Sequence, residues 1–396
     1  MDKKIKVLFL ASWYPNRIHP FEGIFIERHA EVVSKYCEVA VLYFVVDSGL
    51  RGKHFEIIKE EKNGIHSVKV YAPPSGFRIP LISSSYNVIR YFFYINRGLK
   101  EIKLEFGKFN LIQVNVASRI GLFAVLYKLF KKIPYVVLEH SSSFISGKTI
   151  SEYKKKTSFG EKVITSVNYA FSNSIIAVSK YLGDAIKDKK RIQKKIEIVP
   201  NFINIPGNPE SYSKCREKVK ILTIALLNED KNISPLISAV DDLLKEGLDL
   251  ELNIIGDGPG KKMLEQQTNQ LGILNKNIFF RGFVPNDKIK EYYKISNFFV
   301  LPSKYETFSI VTAEAIAHGL PVVITKCGGP EEYVNKEQGI ILEGNDQSSI
   351  KNGIMFMYKN WEKYDPVELW KYAARRFNAE EIGKALTNIY SEVLND

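Results

Sequence analysis

Near-continuous apolar runs recur along this chain with helical stretches between them, and that alternation constrains the fold more than any other feature. In the first half the runs cover residues 5–11, 39–46, 68–72, 111–114, 135–138, 175–178 and 196–199. In the second half they cover residues 221–226, 250–255, 278–280, 298–301 and 322–325. A strand buried on both faces reads as an unbroken apolar run, and parallel strands joined by helices cover both faces. Two such series predict two doubly wound, Rossmann-like α/β domains. The break falls in residues 201–218, where Pro206, Gly207, Asn208 and Pro209 precede Ser211 and Ser213 without periodicity. The predicted domains are residues 1–203 and 204–377. With 396 residues, 45% of them hydrophobic, the chain has room for two full cores. An amphipathic helix is expected over residues 381–394.

Charge divides the halves. Residues 1–200 hold 33 Lys+Arg against 17 Asp+Glu, a net of +16, which leaves 23 against 27 and a net of −4 in the remainder. The basic half suits an anionic membrane surface or an anionic acceptor, and equally a solvated lysine face. The segment 76–100 mixes aromatic with basic residues, among them Phe77, Arg78, Tyr86, Arg90, Phe93 and Arg97. It reads either as a membrane-contacting helix or as a buried helix with Arg at its rim. The lysines at 154–156 and 187–195 read either as added electrostatic attraction to such a surface or as a solvated face. No nucleic-acid motif accompanies the charge, so nucleic acid is not expected as a partner.

Cys37, Cys215 and Cys327 are odd in number and far apart, so neither a disulfide framework nor a zinc pattern follows, and a reducing cytosol fits. The apolar run behind Lys3, Lys4 and Lys6 is too short for a secretory leader. No run approaches the roughly 20 residues that span a bilayer. A soluble or peripheral protein is expected.

The chemistry-bearing stretch is Pro302-Ser303-Lys304-Tyr305-Glu306-Thr307-Phe308-Ser309-Ile310, followed four residues on by Glu314. It joins the apolar run 298–301 to an Ala-rich helical segment closed by Gly319 and Pro321. Glu306 then lies in the strand-to-helix loop, and Glu314 just over a turn into the helix. The amides of Phe308, Ser309 and Ile310 at the helix start form a seat for a phosphate. A phosphate seat between two carboxylates suits a nucleotide-sugar.

These residues resemble the Glu-x7-Glu signature of the GT4-type retaining glycosyltransferases. Gly319-Leu320-Pro321-Val322-Val323 and Gly328-Gly329-Pro330-Glu331-Glu332 resemble the strand and loop that follow it in that family. The resemblance covers nearly the whole chain and is strongest over residues 301–332. It implies the GT-B fold, two Rossmann-like domains facing across a cleft. The first would bind the acceptor and the second the nucleotide-sugar donor, with a C-terminal helix of about 378–396 returning to the first. Val178-Ser179-Lys180 and Val199-Pro200-Asn201 resemble two shorter family landmarks.

In the first domain no Gly-x-Gly-x-x-Gly follows the first strand, which argues against a dinucleotide fingerprint. Gly23 remains of the glycine loop that relatives place at the cleft. His140 follows the strand 135–138 and resembles a family histidine near the transferred sugar. In the second domain Lys231 and Asn232 match a family pair whose lysine holds the donor diphosphate, but Leu226 stands where an arginine is usual. That loses the bidentate fork a diphosphate prefers. Gly256, in Gly256-Asp257-Gly258-Pro259, would shape the cleft wall. Phe283, in Arg281-Gly282-Phe283-Val284, would lie against the base.

The resemblance implies transfer of a sugar from a nucleotide-sugar to a carbohydrate or lipid-linked acceptor with the anomeric configuration retained. Glu306 would hold the sugar and Glu314 the ribose. The nucleotide-sugar is a substrate, so no cofactor is expected. No Asp-x-Asp occurs in the chain, so metal independence is expected as well. Bacterial surface polysaccharide or lipid-linked oligosaccharide assembly is the implied setting, in the cytoplasm and at the inner face of the membrane. Two alternatives stay open: an inactive partner subunit, to which Leu226 lends weight, and a GT-B epimerase, which needs no acceptor.

Overall fold

The structure is a computed structural model that describes residues 5–20, 22–52, 54–75, 80–145, 159–207 and 218–396. Cys215 and the lysines at 154–156 lie outside the described residues, as do Phe77 and Arg78. The chain separates into two compact units. The first comprises Met1–Val178, Gly183–Asn201 and Ala379–Asp396, and the second Ser179–Leu182 and Phe202–Asn378.

The first unit is built on an eight-stranded sheet. Its strands are β1 (Lys6–Ala11), β2 (Glu38–Val46), β3 (Glu56–Lys62), β4 (Ile65–Ala72), β5 (Leu111–Asn115), β6 (Tyr135–Glu139), β7 (Ser174–Ala177) and β8 (Ile196–Ile198). They lie in the order β3-β4-β2-β1-β5-β6-β7-β8. Every pair is parallel except β3 with β4. The apolar runs of the first half all became strands. β3 has no counterpart among them, because its sequence Glu-Ile-Ile-Lys-Glu-Glu-Lys is mostly charged and faces solvent at the sheet edge.

Strand order reverses between β1 and β5, and open α/β sheets bind ligands beyond the carboxyl ends of their strands at such a switch point. The loops after β1 and β5 are therefore where this unit's chemistry is expected. The helix Ala379–Asn395 packs on the helix Ile24–Val33, with Gly383 against Val32 and Tyr36. The buried Tyr390 hydroxyl bonds the side-chain oxygen of Gln113 in β5.

Two basic features resolve in this unit. The helix Pro80–Glu105 buries Tyr94, Ile95, Leu99 and Ile102 and leaves Ile89 and Phe93 exposed, so it carries both a core face and an apolar outer one. Arg90 and Arg97 lie over the rings of Tyr94 and Phe93. Of the 187–195 lysines, Lys194 donates to the carbonyls of Tyr169, Ala170 and Ser172 at the end of the helix Phe159–Phe171. A cation there satisfies carbonyls with no helical partner. Lys194 is thus a helix cap, and burial lowers its pKa.

The second unit has six parallel strands: β9 (Val219–Ile224), β10 (Leu250–Ile255), β11 (Ile278–Gly282), β12 (Phe298–Leu301), β13 (Val322–Thr325) and β14 (Gly339–Leu342). Their order is β11-β10-β9-β12-β13-β14, which places the switch point between β9 and β12. Leu236, Ile237 and Val240 from the helix Ile233–Lys245 share one core with Ile350, Ile354 and Met357 from the helix Gln347–Asn360. Each such side chain, fully buried, contributes about 1.5–3 kcal/mol. Cys37 and Cys327 are buried. Among the described residues no helix is long and apolar enough to cross a membrane.

Candidate active site

In the second unit the loops after β9 and β12 meet at the switch point. The turn after β9 is short: Asn228 caps Glu229–Lys231 by accepting from the Lys231 amide, and Asn232 takes a left-handed conformation at φ 56°. The Asn232 side-chain amide donates to the carbonyl of Asn345 at 2.7 Å, so it braces this turn. The Lys304 amide donates to the Asp230 carbonyl at 2.7 Å and ties the two loops together.

Glu306 is fixed by its backbone. Its amide donates to Cys327, and its carbonyl accepts from Gly329, as though one residue of strand were paired beyond β13. Its carboxylate is mostly buried, and Oε1 accepts from Lys231 Nζ at 2.7 Å and from Ser303 Oγ at 2.8 Å. Oε2 accepts no hydrogen bond among the described residues. A half-buried ion pair with one oxygen left over is an unfinished polar cluster, and such clusters are where ligands bind. Burial, with Glu306 next in effect, pushes the Cys327 thiol far up, so Cys327 stays neutral beside the pair.

The helix Ile310–Ala317 begins behind Ser309, which holds φ 61° while its Oγ meets Thr312 Oγ1 at 2.8 Å. The buried Tyr333 hydroxyl lies 2.7 Å from the Phe308 carbonyl and 2.8 Å from the Ser309 carbonyl. In a trans peptide the N–H lies opposite the preceding C=O, so the amides of Ser309 and Ile310 point away from Tyr333. These two are among the amides from which the sequence leads one to expect a phosphate seat. Phe308 contributes differently: its ring is core, packed edge-on to Phe377 and against Tyr333. Glu314 is half-buried and accepts from the Tyr293 hydroxyl at 3.3 Å.

Gly256 and Phe283 stand at the ends of β10 and β11. Gly256 has φ 131°, and a Cβ on it would lie 1.9 Å from the Ala225 carbonyl oxygen, so only glycine fits. It lets the loop after β9 close in, which the Leu227 amide completes by donating to Asp257. Phe283 and Leu226 are both about half exposed, at 48% and 60%. Leu226 is thus a free-standing apolar side chain on the loop that leads to Lys231.

The first unit carries its own cluster. A cavity of about 430 Å³ opens at the β1/β5 switch point, lined among others by Trp13, Tyr91, Ser118 and Arg119. Val116 in its wall holds φ 69°, a left-handed conformation that a β-branched residue rarely takes and that costs on the order of 1–3 kcal/mol. Three bonds hold it there. Its amide donates to Leu138, its carbonyl accepts from Ser12 Oγ, and the next amide, Ala117, donates to Glu139 Oε2 at 3.1 Å. Glu139 is wholly buried. Its Oε1 accepts from the amides of His140 and Ser141, and its Oε2 also accepts from the Tyr169 hydroxyl at 2.7 Å. Burial raises its pKa and the four donors oppose that.

His140 does not line this cavity. Its ring is buried 4.4 Å from Phe25 and 5.2 Å from His29, and its Nε2 is buried without a hydrogen-bond partner among the described residues. Burial, helped by His29, holds its pKa well below the usual histidine value, so His140 is neutral. Gly23 starts the helix Ile24–Val33 at φ 69°, where a Cβ would stand 2.4 Å from the Trp13 backbone. It is turn chemistry that seats the loop after β1.

Sequence reasoning missed Ser303, Tyr333, Val116, Arg119 and Glu139. One signal was available: Glu139 is a carboxylate closing an apolar strand, which demands partners. Nothing local marks the other four.

Comparison with known proteins agrees with this architecture. Residues 206–376 match the family of glycosyl transferases group 1, and residues 37–205 match Glycosyltransferase Family 4. An uncharacterised glycosyltransferase of Methanocaldococcus jannaschii is 30% identical over 279 residues, 65% of this chain and 69% of its own. A putative teichuronic acid biosynthesis glycosyltransferase of Bacillus subtilis is 23% identical over 98% of this chain and 99% of its own. Among solved structures, sucrose-phosphate synthase from Thermosynechococcus elongatus aligns with a TM-score of 0.76 at 14% identity, over 99% of this chain and 100% of its own. Anabaena HepE, solved in complex with UDP, aligns at 0.70 and 17% identity over 98% and 100%. The fold is GT-B, and the chain belongs to the group 1 glycosyltransferases of family 4 type.

Proposed function

We propose that the protein transfers a sugar from a nucleoside-diphosphate sugar to an acceptor hydroxyl with retention of anomeric configuration and without a metal ion. The observation that carries this reading is the Lys231–Glu306 pair at the β9/β12 switch point, beside the outward amides of Ser309 and Ile310. The ammonium and the amides supply positive charge for a diphosphate, and the free Glu306 Oε2 accepts from a sugar hydroxyl. HepE, with which the fold is shared, is solved with UDP and with UDP-glucose, which makes UDP-glucose the first donor to try.

In the reaction the bond between the anomeric carbon and the diphosphate oxygen breaks, and its electron pair stays on the phosphate. The acceptor oxygen bonds the same face of the anomeric carbon, and its proton passes to the leaving phosphate. Negative charge grows on the diphosphate as the sugar becomes oxocarbenium-like. Preorganised donors aimed at such charge are the largest ordinary source of rate enhancement. Lys231, Ser309 and Ile310 have that role here. Glu314 holds the ribose hydroxyls, and Phe283 lies against the base. His140, being neutral, serves the sugar as a hydrogen-bond group and not as a cation.

The first unit holds the acceptor, a carbohydrate or lipid-linked glycan of surface-polysaccharide type. The work is cytoplasmic, with the exposed Ile89 and Phe93 supporting contact with the inner membrane face. The test is a panel of nucleotide-sugars, read by thermal stabilisation and by slow hydrolysis in wild type and Glu306→Ala, with EDTA present throughout. One donor should stabilise the wild type and be hydrolysed by it alone, releasing sugar of retained configuration. Donor binding with no turnover on any acceptor would replace this reading with that of a partner subunit.

A further inference from the structure

The cavity of the first unit holds one cation among its described lining residues, Arg119. Its guanidinium is exposed and has no hydrogen-bond or ion-pair partner among the described residues. An arginine fork left open beside aromatic rings is matched in shape and charge to a planar or tetrahedral oxyanion. Arg119 also does not reach the cavity by default. It follows a backbone held in the left-handed region at Val116, and that conformation is kept by Ser12 and by the buried Glu139. Strain of this kind persists where the surroundings over-determine it, and it gathers at functional sites.

We propose that this cavity selects an acidic acceptor sugar, whose carboxylate or phosphate is bound by Arg119 while Trp13 and Tyr91 offer ring faces to the pyranose. Glu161 also lines the cavity, and a carboxylate there suits neutral hydroxyls, so the two charges orient the sugar. The inference rests on the reading of the first unit as the acceptor-binding part. It adds to that reading the class of the acceptor and the residue that reads it. Glu139 is a positioning residue, acting through the Val116–Arg119 loop.

The test uses the full chain and three probes of one size: methyl glucuronide, glucose 6-phosphate and methyl glucoside, with affinities measured by ligand-observed NMR. Wild type should bind at least one charged probe about tenfold or more tightly than the neutral one. Which charged probe wins distinguishes a uronic acid from a phosphorylated sugar. Arg119→Gln should bring the charged probe to the affinity of the neutral one, and Arg119→Lys should keep part of the preference. Equal binding of all three, no binding of any, or a charge preference that survives Arg119→Gln would overturn the assignment. Stabilisation of the wild type by donor is followed separately. If a donor binds and no charge preference appears, the Arg119 assignment alone fails. If no donor binds, the function proposed above fails.

Discussion

Lys231 and Glu306 are 75 residues apart in the chain and 2.7 Å apart in space. The sheet produces this closeness. β9 and β12 are neighbours at the point where strand order reverses, and each residue sits in the loop just past its strand. Removing either one leaves the other charge partly buried without its partner, which is the costly half of such a pair. Glu306→Ala is expected to slow transfer by about 10²- to 10³-fold, the loss typical of one preorganised polar group. Lys231→Ala should act in the same range. The double variant should be little slower than the slower single one, because the two work as a unit. Steady-state kinetics of all three variants measures this coupling.

Tyr333 supports the loop from behind. Tyr333→Phe takes the hydroxyl donor from the Phe308 carbonyl in the core, while the Ser309 carbonyl keeps the Ala313 amide, at a cost of about 1–3 kcal/mol. Urea denaturation should show that loss. Thermal stabilisation by donor should shrink as well, because the amides of Ser309 and Ile310 are no longer held in place.

Glu139 is expected to tolerate its nearest isostere poorly. In Glu139→Gln an amide nitrogen replaces one oxygen, and on either side it faces two donors. At least one buried amide then loses its acceptor, with a stability loss of about 2 kcal/mol. If the variant were as stable as wild type in urea, the four-bond arrangement would be wrong.

His29 makes stability depend on pH. Burial lowers its pKa to about 4 from 6.5. The unfolded chain therefore binds a proton first as pH falls, and the folded state loses ground between about pH 6.5 and pH 4. That window is worth about 3 kcal/mol for full burial of the neutral form. His140 shifts in the same direction. His29→Leu should flatten the decline, as measured by urea midpoints of variant and wild type at pH 7 and pH 4.5.

Most of the fold is readable in the chain because buried parallel strands leave unbroken apolar runs, and residues 250–255, 298–301 and 322–325 coincide with β10, β12 and β13. β3 escapes that rule because an edge strand faces water and needs no apolar run. In the site, Glu306 and Lys231 are legible through motifs, and Gly256 through the turn it must make. Tyr333 and Arg119 are not, since their importance lies in which distant loop they meet. Phe308 shows a further limit: the motif marks its position, while packing decides that its ring is core and the neighbouring amides face out.

The charged sequence of β3 has a consequence at the level of the whole molecule. An exposed sheet edge is a template on which another chain can add a strand. β3 closes the long side of the first sheet with Lys59, Glu60, Glu61 and Lys62 turned to solvent, and the opposite edge, β8, is only three residues long. Both margins of the first sheet are thus poor seeds for strand addition from another copy of the chain.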